Sequence, residues 1–231
     1  MRPSVGLWLV DLDAVANARG NELGDSLPPS ERARGDRFPQ GLTRRRFLAS
    51  RDALRRIMSD RYGPALGDVE LAYGHRGKPR LARAEHLGMH FSISHCAEEA
   101  LIATTTRAPI GVDIERIHWN IDVDRLAARF FEVGEARRLA DLPRHKKTRA
   151  FFSCWTRKEA LVKANGEGFI SFRAFQITCG SRPPQVLVAP DDARTWSLSD
   201  LRLPGDMVGA VALNAGEPFS VEPLRWVWPG A

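Results

Sequence analysis

FFSCWTRKEALVKANGEGF, residues 151–169, reads as a buried helix until it reaches Glu159. At about 100° per residue, with Phe151 at zero, Val162 falls near ~20°, Trp155 near ~40° and Phe152 near ~100°. Glu159 falls near ~80°, inside that apolar arc, and Lys163 just beyond it near ~120°. Two accounts compete. In one, Glu159 and Lys163 are a surface pair at i,i+4, worth a few tenths of a kcal/mol. Ser153 and Arg157, however, already take the polar side. That favours the other account: a carboxylate aimed into a cleft, where it binds a cation or moves a proton, because a buried acid left unpaired is costly.

The rest of the chain sets limits on what such a cleft could be. A chain of 231 residues, 43% apolar and 27% charged, has the composition of a globular protein with a sizeable core. No apolar run is long enough to cross a membrane. The opening MRPSVGLWLVDLD meets acid too soon for a secretory signal. Cys96, Cys154 and Cys179 are odd in number and far apart in sequence. That argues against a disulfide framework or a zinc site and places the protein in the cytoplasm. The net charge of +6 is carried mostly by arginine and calls for an anionic partner: phosphate, nucleic acid or an acidic protein. Arginines crowd the segment from Arg32 to Arg61. A solvated helix face accounts for most of them, but Arg51 shares the stripe of Phe47, Leu54 and Met58 and so is expected to point inward.

Val5–Val10 reads as a strand ending in Asp11-Leu12-Asp13, followed by a loop through Pro28 and Pro29 and a helix over about 43–61. A short strand near 69–73 precedes the turn Gly77-Lys78-Pro79. MHFSISH and ALIATTT form a hairpin, and IGVDIERI is another strand. Helices are expected over about 124–142 and 148–164, and the strand-like tail carries FQITC, QVLVA, RTWSLSDL and MVGAVAL. Strands and helices without strict alternation predict an α+β fold. Val10-Asp11-Leu12-Asp13 is echoed by Val112-Asp113-Ile114-Glu115, and Arg51-Asp52-Ala53-Leu54 by Lys158-Glu159-Ala160-Leu161. The echo predicts two similar halves, 1–109 and 110–231, related by a pseudo-twofold. Each would be a small sheet on a long helix, with a site between them.

Residues i and i+2 of a strand share a face, so Val112 and Ile114 enter the core while Asp113 and Glu115 project together on the other side. Taken alone, that pattern is most simply a solvated strand face. With Glu159 it becomes three carboxylates, which suit a hard octahedral cation such as Mg²⁺, or Mn²⁺ in its place, sharing its coordination with a substrate phosphate. Lys163, one turn on, can reach the same phosphate. Further phosphate donors stand at Lys78, Ser94, His95, Arg34, Arg37 and Arg46. A Ser–His hydrolase is excluded by the missing nucleophile elbow. Gly166-x-Gly168 reads as a helix C-cap.

GVDIERI followed some forty residues later by WTRKEALVKANGEG resembles the paired signature of the 4′-phosphopantetheinyl transferases. RFFEVGEARRL, GKPRL, FSISH and VGAVAL are similar to family segments too, so the resemblance covers most of the chain. The length and the two-part echo resemble the two-domain class that activates surfactin-type synthetases. The resemblance implies that coenzyme A donates its phosphopantetheine arm to a serine of an acyl or peptidyl carrier protein, releasing 3′,5′-ADP. It implies Mg²⁺ on Asp113, Glu115 and Glu159, with Glu159 taking the serine proton and Lys163 neutralising the diphosphate. It places Arg34, Arg46, Lys78, Ser94, His95, Asp113 and Lys163 on coenzyme A, in a monomer that takes neither nucleic acid nor membrane. Ser92 and Cys96 depart from the residues common in the family at these positions. The basic and aromatic stretch with Arg125, Arg129, Phe130, Phe131, Arg137 and Arg138 is the expected docking face for an acidic carrier. The alternatives are a Mg²⁺-dependent nuclease, whose usual Glu-x-Lys is missing after Asp113, and a basic nucleic-acid-binding module, which leaves the three acids without a purpose.

Overall fold

The computed structural model describes residues 4–68, 70–74, 77–82, 88–166, 172–180 and 182–226, with no side chain described beyond 222. In chain order, Ser4–Asp11 (β1) leads through Leu12–Arg19 (α1) and Pro29–Gly35 (α2) to the long helix Leu42–Tyr62 (α3). Pro64–Gly67 (α4) and the small hairpin Leu71–Tyr73 (β2) and Pro79–Leu81 (β3) follow, then the hairpin His90–Cys96 (β4) and Glu99–Thr105 (β5). Ile110–Arg116 (β6) comes next, with Val123–Phe130 (α5), Val133–Ala140 (α6) and the long helix Arg144–Asn165 (α7). Gln176–Ile177 (β7) pairs with Val186–Val188 (β8), and Trp196–Leu201 (β9), Met207–Asn214 (β10) and Ser220–Trp226 (β11) complete the α+β fold.

Two of the sheets are connected in a similar way. β1 pairs antiparallel with β5, the second strand of the hairpin β4–β5, and β6 pairs antiparallel with β10, the second strand of the hairpin β9–β10. The two sheets run β11-β1-β5-β4 and β6-β10-β9. β11 is the unexpected element. It runs parallel to β1, from Ser4↔Ser220 to Val10↔Trp226, and so ties the tail of the chain back onto the first sheet. Pro223 hides it in the sequence, yet proline is tolerated on an edge strand, where no further ladder bond is required of it.

Three local differences from the sequence reading have simple causes. Asp11 ends β1 by capping α1, its carboxylate accepting from Ala14 N at 2.9 Å. The helix expected over 124–142 is two helices, because Glu132 and Glu135 form a capping box that starts α6 afresh. α7 begins at Arg144, directly after Pro143, and ends on Gly166, whose φ of 80° makes the left-handed C-cap.

α7 lies across β6 and β10 at a distance that only glycine permits. A Cβ on Gly111 would stand 1.9 Å from the Ala160 carbonyl oxygen. The opposite flank of α7 packs on Phe131, Leu139, Phe172 and Phe175. Arg157, expected on the polar side, is buried instead: it donates to Asp200 through Nε (2.7 Å) and Nη2 (2.6 Å) and to the Thr178 carbonyl (2.7 Å). Cys154 and Cys179, distant in sequence, meet here as free thiols. With its other faces walled, α7 leaves Trp155, Glu159 and Lys163 as a half-buried strip.

Those three residues face the seam between the two sheets. β4 and β6 lie side by side, joined through side chains of alternate β4 residues. Ser92 Oγ accepts from Val112 N (3.1 Å), Ser94 Oγ donates to Asp113 Oδ1 (2.8 Å), and Cys96 Sγ accepts from Arg116 N (3.3 Å). Ser92 and Cys96, the two departures from the family pattern, thus serve the seam.

Candidate functional site

Asp113 is 4% exposed at the middle of the seam. Its Oδ1 accepts from Ser94 Oγ (2.8 Å) and from Lys163 Nζ (2.7 Å), whereas its Oδ2 is buried with no partner. Lys163 also donates to Ser94 Oγ (2.8 Å) and to the Val112 carbonyl (3.2 Å). Its ion pair is therefore with Asp113 across the seam; the helical pairing with Glu159 is not the one formed. Lys78, in its turn after Gly77, donates to the Ile110 carbonyl at 3.1 Å and to the Lys163 carbonyl, so it grips both β6 and the end of α7.

Glu115 and Glu159 stand half-buried beside this knot. Burial first, then the Asp113 charge, pushes Glu115 up to about 7, although Lys163 and a hydrogen bond from the Trp155 side chain pull the other way. Burial and Asp113 likewise raise Glu159, against Lys163. Lys78 moves the opposite way: burial and the Lys163 ammonium bring it down to about 8. His95 keeps an exposed ring in a walled cleft, where partial desolvation, Lys163 and Arg51 hold its pKa below the ordinary value. Burial and crowding thus shift the acids up and the bases down, each toward its uncharged form.

Among the described residues, no three His, Cys, Asp or Glu side chains stand ready-made as a metal group. The donor set nevertheless fits a hard cation. Asp113 offers a buried, unused carboxylate oxygen, and burial, followed by the Asp113 charge, raises the pKa of both Glu115 and Glu159. All-oxygen donors of that kind suit Mg²⁺ or Mn²⁺.

The structure thus brings Asp113, Ser94, Lys163 and Lys78 together through hydrogen bonds, with Glu115, Glu159 and His95 within electrostatic reach of them. Other expected residues lie differently. Arg34 is half-buried with its guanidinium 3.8 Å over the Tyr73 ring. Arg46, expected on the nucleotide, is forked onto Asp13 through Nε (2.8 Å) and Nη2 (2.6 Å). Phe131 cannot be a docking residue: it is 2% exposed and stacked on Phe151 and Phe172. Phe130 is half-buried edge-on to Trp155, Arg138 is half-buried, and Arg125, Arg129 and Arg137 are exposed. The sequence reading did not single out Trp119 and Val133, large apolar side chains that stand exposed in the same stretch of chain.

It also passed over Lys158. This lysine precedes Glu159 but points the other way, into the core, where it is fully buried against Glu135 at 2.8 Å. Its remaining protons go to the Phe172 (3.1 Å) and Phe175 (2.5 Å) carbonyls. All three donors are satisfied, which is the condition for burying an ammonium. The pair pins α7 to α6 and to the segment before β7, and so fixes the direction in which Glu159 points. No local pattern reveals it, because Glu135 lies on another helix.

The family profile of the 4′-phosphopantetheinyl transferase superfamily matches residues 109–212, which include β6 and α7. The chain is 36% identical to the 4′-phosphopantetheinyl transferase HetI of Nostoc sp. over 223 residues, 96% of this chain and 91% of that protein. It is 32% identical to AcpT of Escherichia coli, over 61% of this chain and 66% of that one, and 30% identical to psf-1 of Bacillus pumilus, over 70% and 69%. Both bear the same enzyme name. No described helix is long and apolar enough to cross a membrane.

Proposed function

Given that this chain belongs to the 4′-phosphopantetheinyl transferase superfamily and is a transferase of phosphopantetheine to carrier proteins, we propose that coenzyme A is the donor and a serine of an acyl or peptidyl carrier protein the acceptor. The reaction depends on Mg²⁺ and releases 3′,5′-ADP. One observation carries this: a buried aspartate with one oxygen held by Lys163 and Ser94 and the other bare, beside two acids whose pKa burial raises.

Asp113 Oδ2, Glu115 and Glu159 would hold the cation, which when bound supplies positive charge to the diphosphate of coenzyme A. Glu159 accepts the serine proton: a half-buried carboxylate with a raised pKa is a stronger base near neutrality than an exposed one. Lys163 meets the charge developing on the leaving phosphate, giving up the Val112 carbonyl, the longest of its three bonds. Lys78, Ser94, His95 and Arg34 line the path for the nucleotide. Residues 1–109 supply most of the nucleotide contacts and 110–231 the acids, so both walls of the cleft come from one chain and a cytoplasmic monomer suffices. The carrier docks on the flank carrying Arg125, Arg129, Arg137, Phe130, Trp119 and Val133, where cations and exposed apolar groups meet an acidic partner.

Incubation with coenzyme A, Mg²⁺ and a varied panel of apo-carrier proteins, read by intact mass, tests this. At least one carrier should gain a single phosphopantetheine in Mg²⁺ and none in chelator. A folded protein that leaves every carrier unmodified, or modifies one in chelator, refutes it.

A further inference from the structure

Two thiols lie buried where the transfer chemistry has no use for them. Cys154 stands on α7 and Cys179 just beyond β7, both buried and both free. They share one core cluster with Phe172, Phe175 and Ile177, and their side chains are hydrogen-bonded to each other. Flanking bonds hold the two segments in this position. Arg157, three residues along α7 from Cys154, donates through Nη1 to the carbonyl of Thr178, the residue before Cys179, at 2.7 Å. Lys158, one turn beyond Cys154, donates to the Phe172 and Phe175 carbonyls.

A single thiol in an apolar core packs as a small hydrophobe and needs no further account. Two in contact differ, because a sulfur oxidised to the sulfenic acid finds its resolving thiol already beside it. In the closed fold the pair is inert. The hydrogen bond with Cys154, and then burial, push the Cys179 thiol up and keep it protonated. Reaction waits on local opening, and the wall over Cys179 is the part of the fold suited to that. β7 is two residues long and β8 three, in a two-stranded sheet whose register is interrupted between Gln176 and Ile177. A ladder of that size is marginal by itself and sits at the low end of local stability. Opening it also breaks bonds from Arg157 and Lys158, so the pair answers sustained oxidant rather than brief exposure.

We propose that Cys154 and Cys179 form a reversible disulfide under a hydroperoxide, and that this bond shuts off transfer by drawing α7 toward β7. With hydrogen peroxide, one opened thiol loses its proton and attacks the O–O bond, becoming a sulfenic acid while the other oxygen leaves as water. The second thiol then attacks that sulfur, the S–S bond forms, and the sulfenic oxygen leaves as a second water. Two thiols give up two electrons and two protons, and one peroxide becomes two waters. A dithiol reductant reverses the bond by exchange. The effect on transfer follows from the helix. A disulfide needs its sulfurs about 2 Å apart, closer than hydrogen-bonded thiols lie. Glu159 is five positions after Cys154, about 140° around α7, so a pull on Cys154 toward β7 carries Glu159 away from Asp113. The same pull lifts the Ala160 carbonyl from its seat against Gly111. A displacement of about 1 Å at a reacting group costs on the order of a hundredfold in rate.

The test treats the whole protein with hydrogen peroxide, unfolds it in an alkylating reagent, weighs it and maps any cross-link by proteolysis. Of its three thiols, wild type should keep Cys96 for the reagent and carry a linkage between Cys154 and Cys179. Its kcat for transfer should fall by about tenfold or more, with the KM for coenzyme A nearly unchanged. Dithiothreitol should restore both thiols and rate. Cys154→Ala and Cys179→Ala should form no linkage and hold their own rates in peroxide. Three alkylated thiols in treated wild type, or thiols lost to irreversible acids without a linkage, overturn the disulfide. A linked protein that transfers at the untreated rate, or a variant as sensitive to peroxide as wild type, overturns the switch. The thiol count uses neither coenzyme A nor carrier, so the disulfide stands or falls separately from the proposed function.

Discussion

Replacing Lys163 by Met keeps the stem and removes only the ammonium, and its effect on stability separates a seam residue from a surface one. Were Lys163 the helical partner of Glu159, its loss would cost about 0.3–0.5 kcal/mol. Its charge instead rests on Asp113, whose side chain is 5% exposed against 27% for the lysine. Removing one member of a buried pair costs about 3–5 kcal/mol, because the other is left charged and unpaired. The partial exposure of Lys163 argues for the lower end, about 3 kcal/mol. In a chain of this size, 1 kcal/mol shifts the melting temperature by roughly 2–4 °C, so a fall of about 6–12 °C is expected at neutral pH. Asp113→Asn in the same chain should recover part of that loss, since the two side chains act as a unit. On the proposed mechanism, in which Lys163 also meets the leaving phosphate, the kcat should drop on the order of a hundredfold or more. Scanning calorimetry of the two single variants and the double variant, each with a transfer rate, decides the matter. A Lys163→Met protein melting within a degree of wild type would refute the seam pairing. A kcat within threefold would refute the catalytic role.

Gly111→Ala should destabilise by about 3 kcal/mol or more, because its Cβ meets the α7 backbone at 1.9 Å rather than a side chain that could swing away; an unchanged urea midpoint would show that the helix can retreat at little cost. Lys78 titrates near 8 in the fold against 10.5 unfolded, so between those values the unfolded chain binds more protons and stability rises with pH, by roughly 3 kcal/mol at most. Lys78→Met should flatten that rise, and a variant whose stability still climbs in parallel with wild type from pH 8 to 10.5 would exclude Lys78 as its source. Reversing charge at Arg129 and Arg137, both exposed, should raise the KM for an acidic carrier several-fold while sparing that for coenzyme A; equal changes in both would place the docking face elsewhere.

What was legible in the sequence, and what was not, divides by the range over which each residue finds its partner. Asp113 and Glu115 are two apart on a strand, and Glu159 and Lys163 four apart on a helix. Those spacings alone put each pair on a common face and raised the question of a carboxylate in an apolar arc. Arg51 was legible as inward by the same rule. That its Nε and Nη1 are buried with no hydrogen-bond partner was not, because hydrogen-bond satisfaction depends on residues from other elements. Arg157 was misread as surface for a related reason. A helix packed on one flank shows a polar side in its sequence, but α7 is packed on two, and the polar residue there is satisfied by Asp200, forty-three positions away. Lys158 and Glu135 carry the point furthest. An apolar neighbourhood on α7 gives no hint that a lysine belongs in it, and the glutamate that permits it also caps α6, so either one looks ordinary alone. β11 is the same problem at the scale of the backbone, since it pairs with a strand some two hundred residues upstream. The chemistry of this protein is therefore written in short spacings, whereas the supports that aim it are written in pairings that become readable only once the chain has closed on itself.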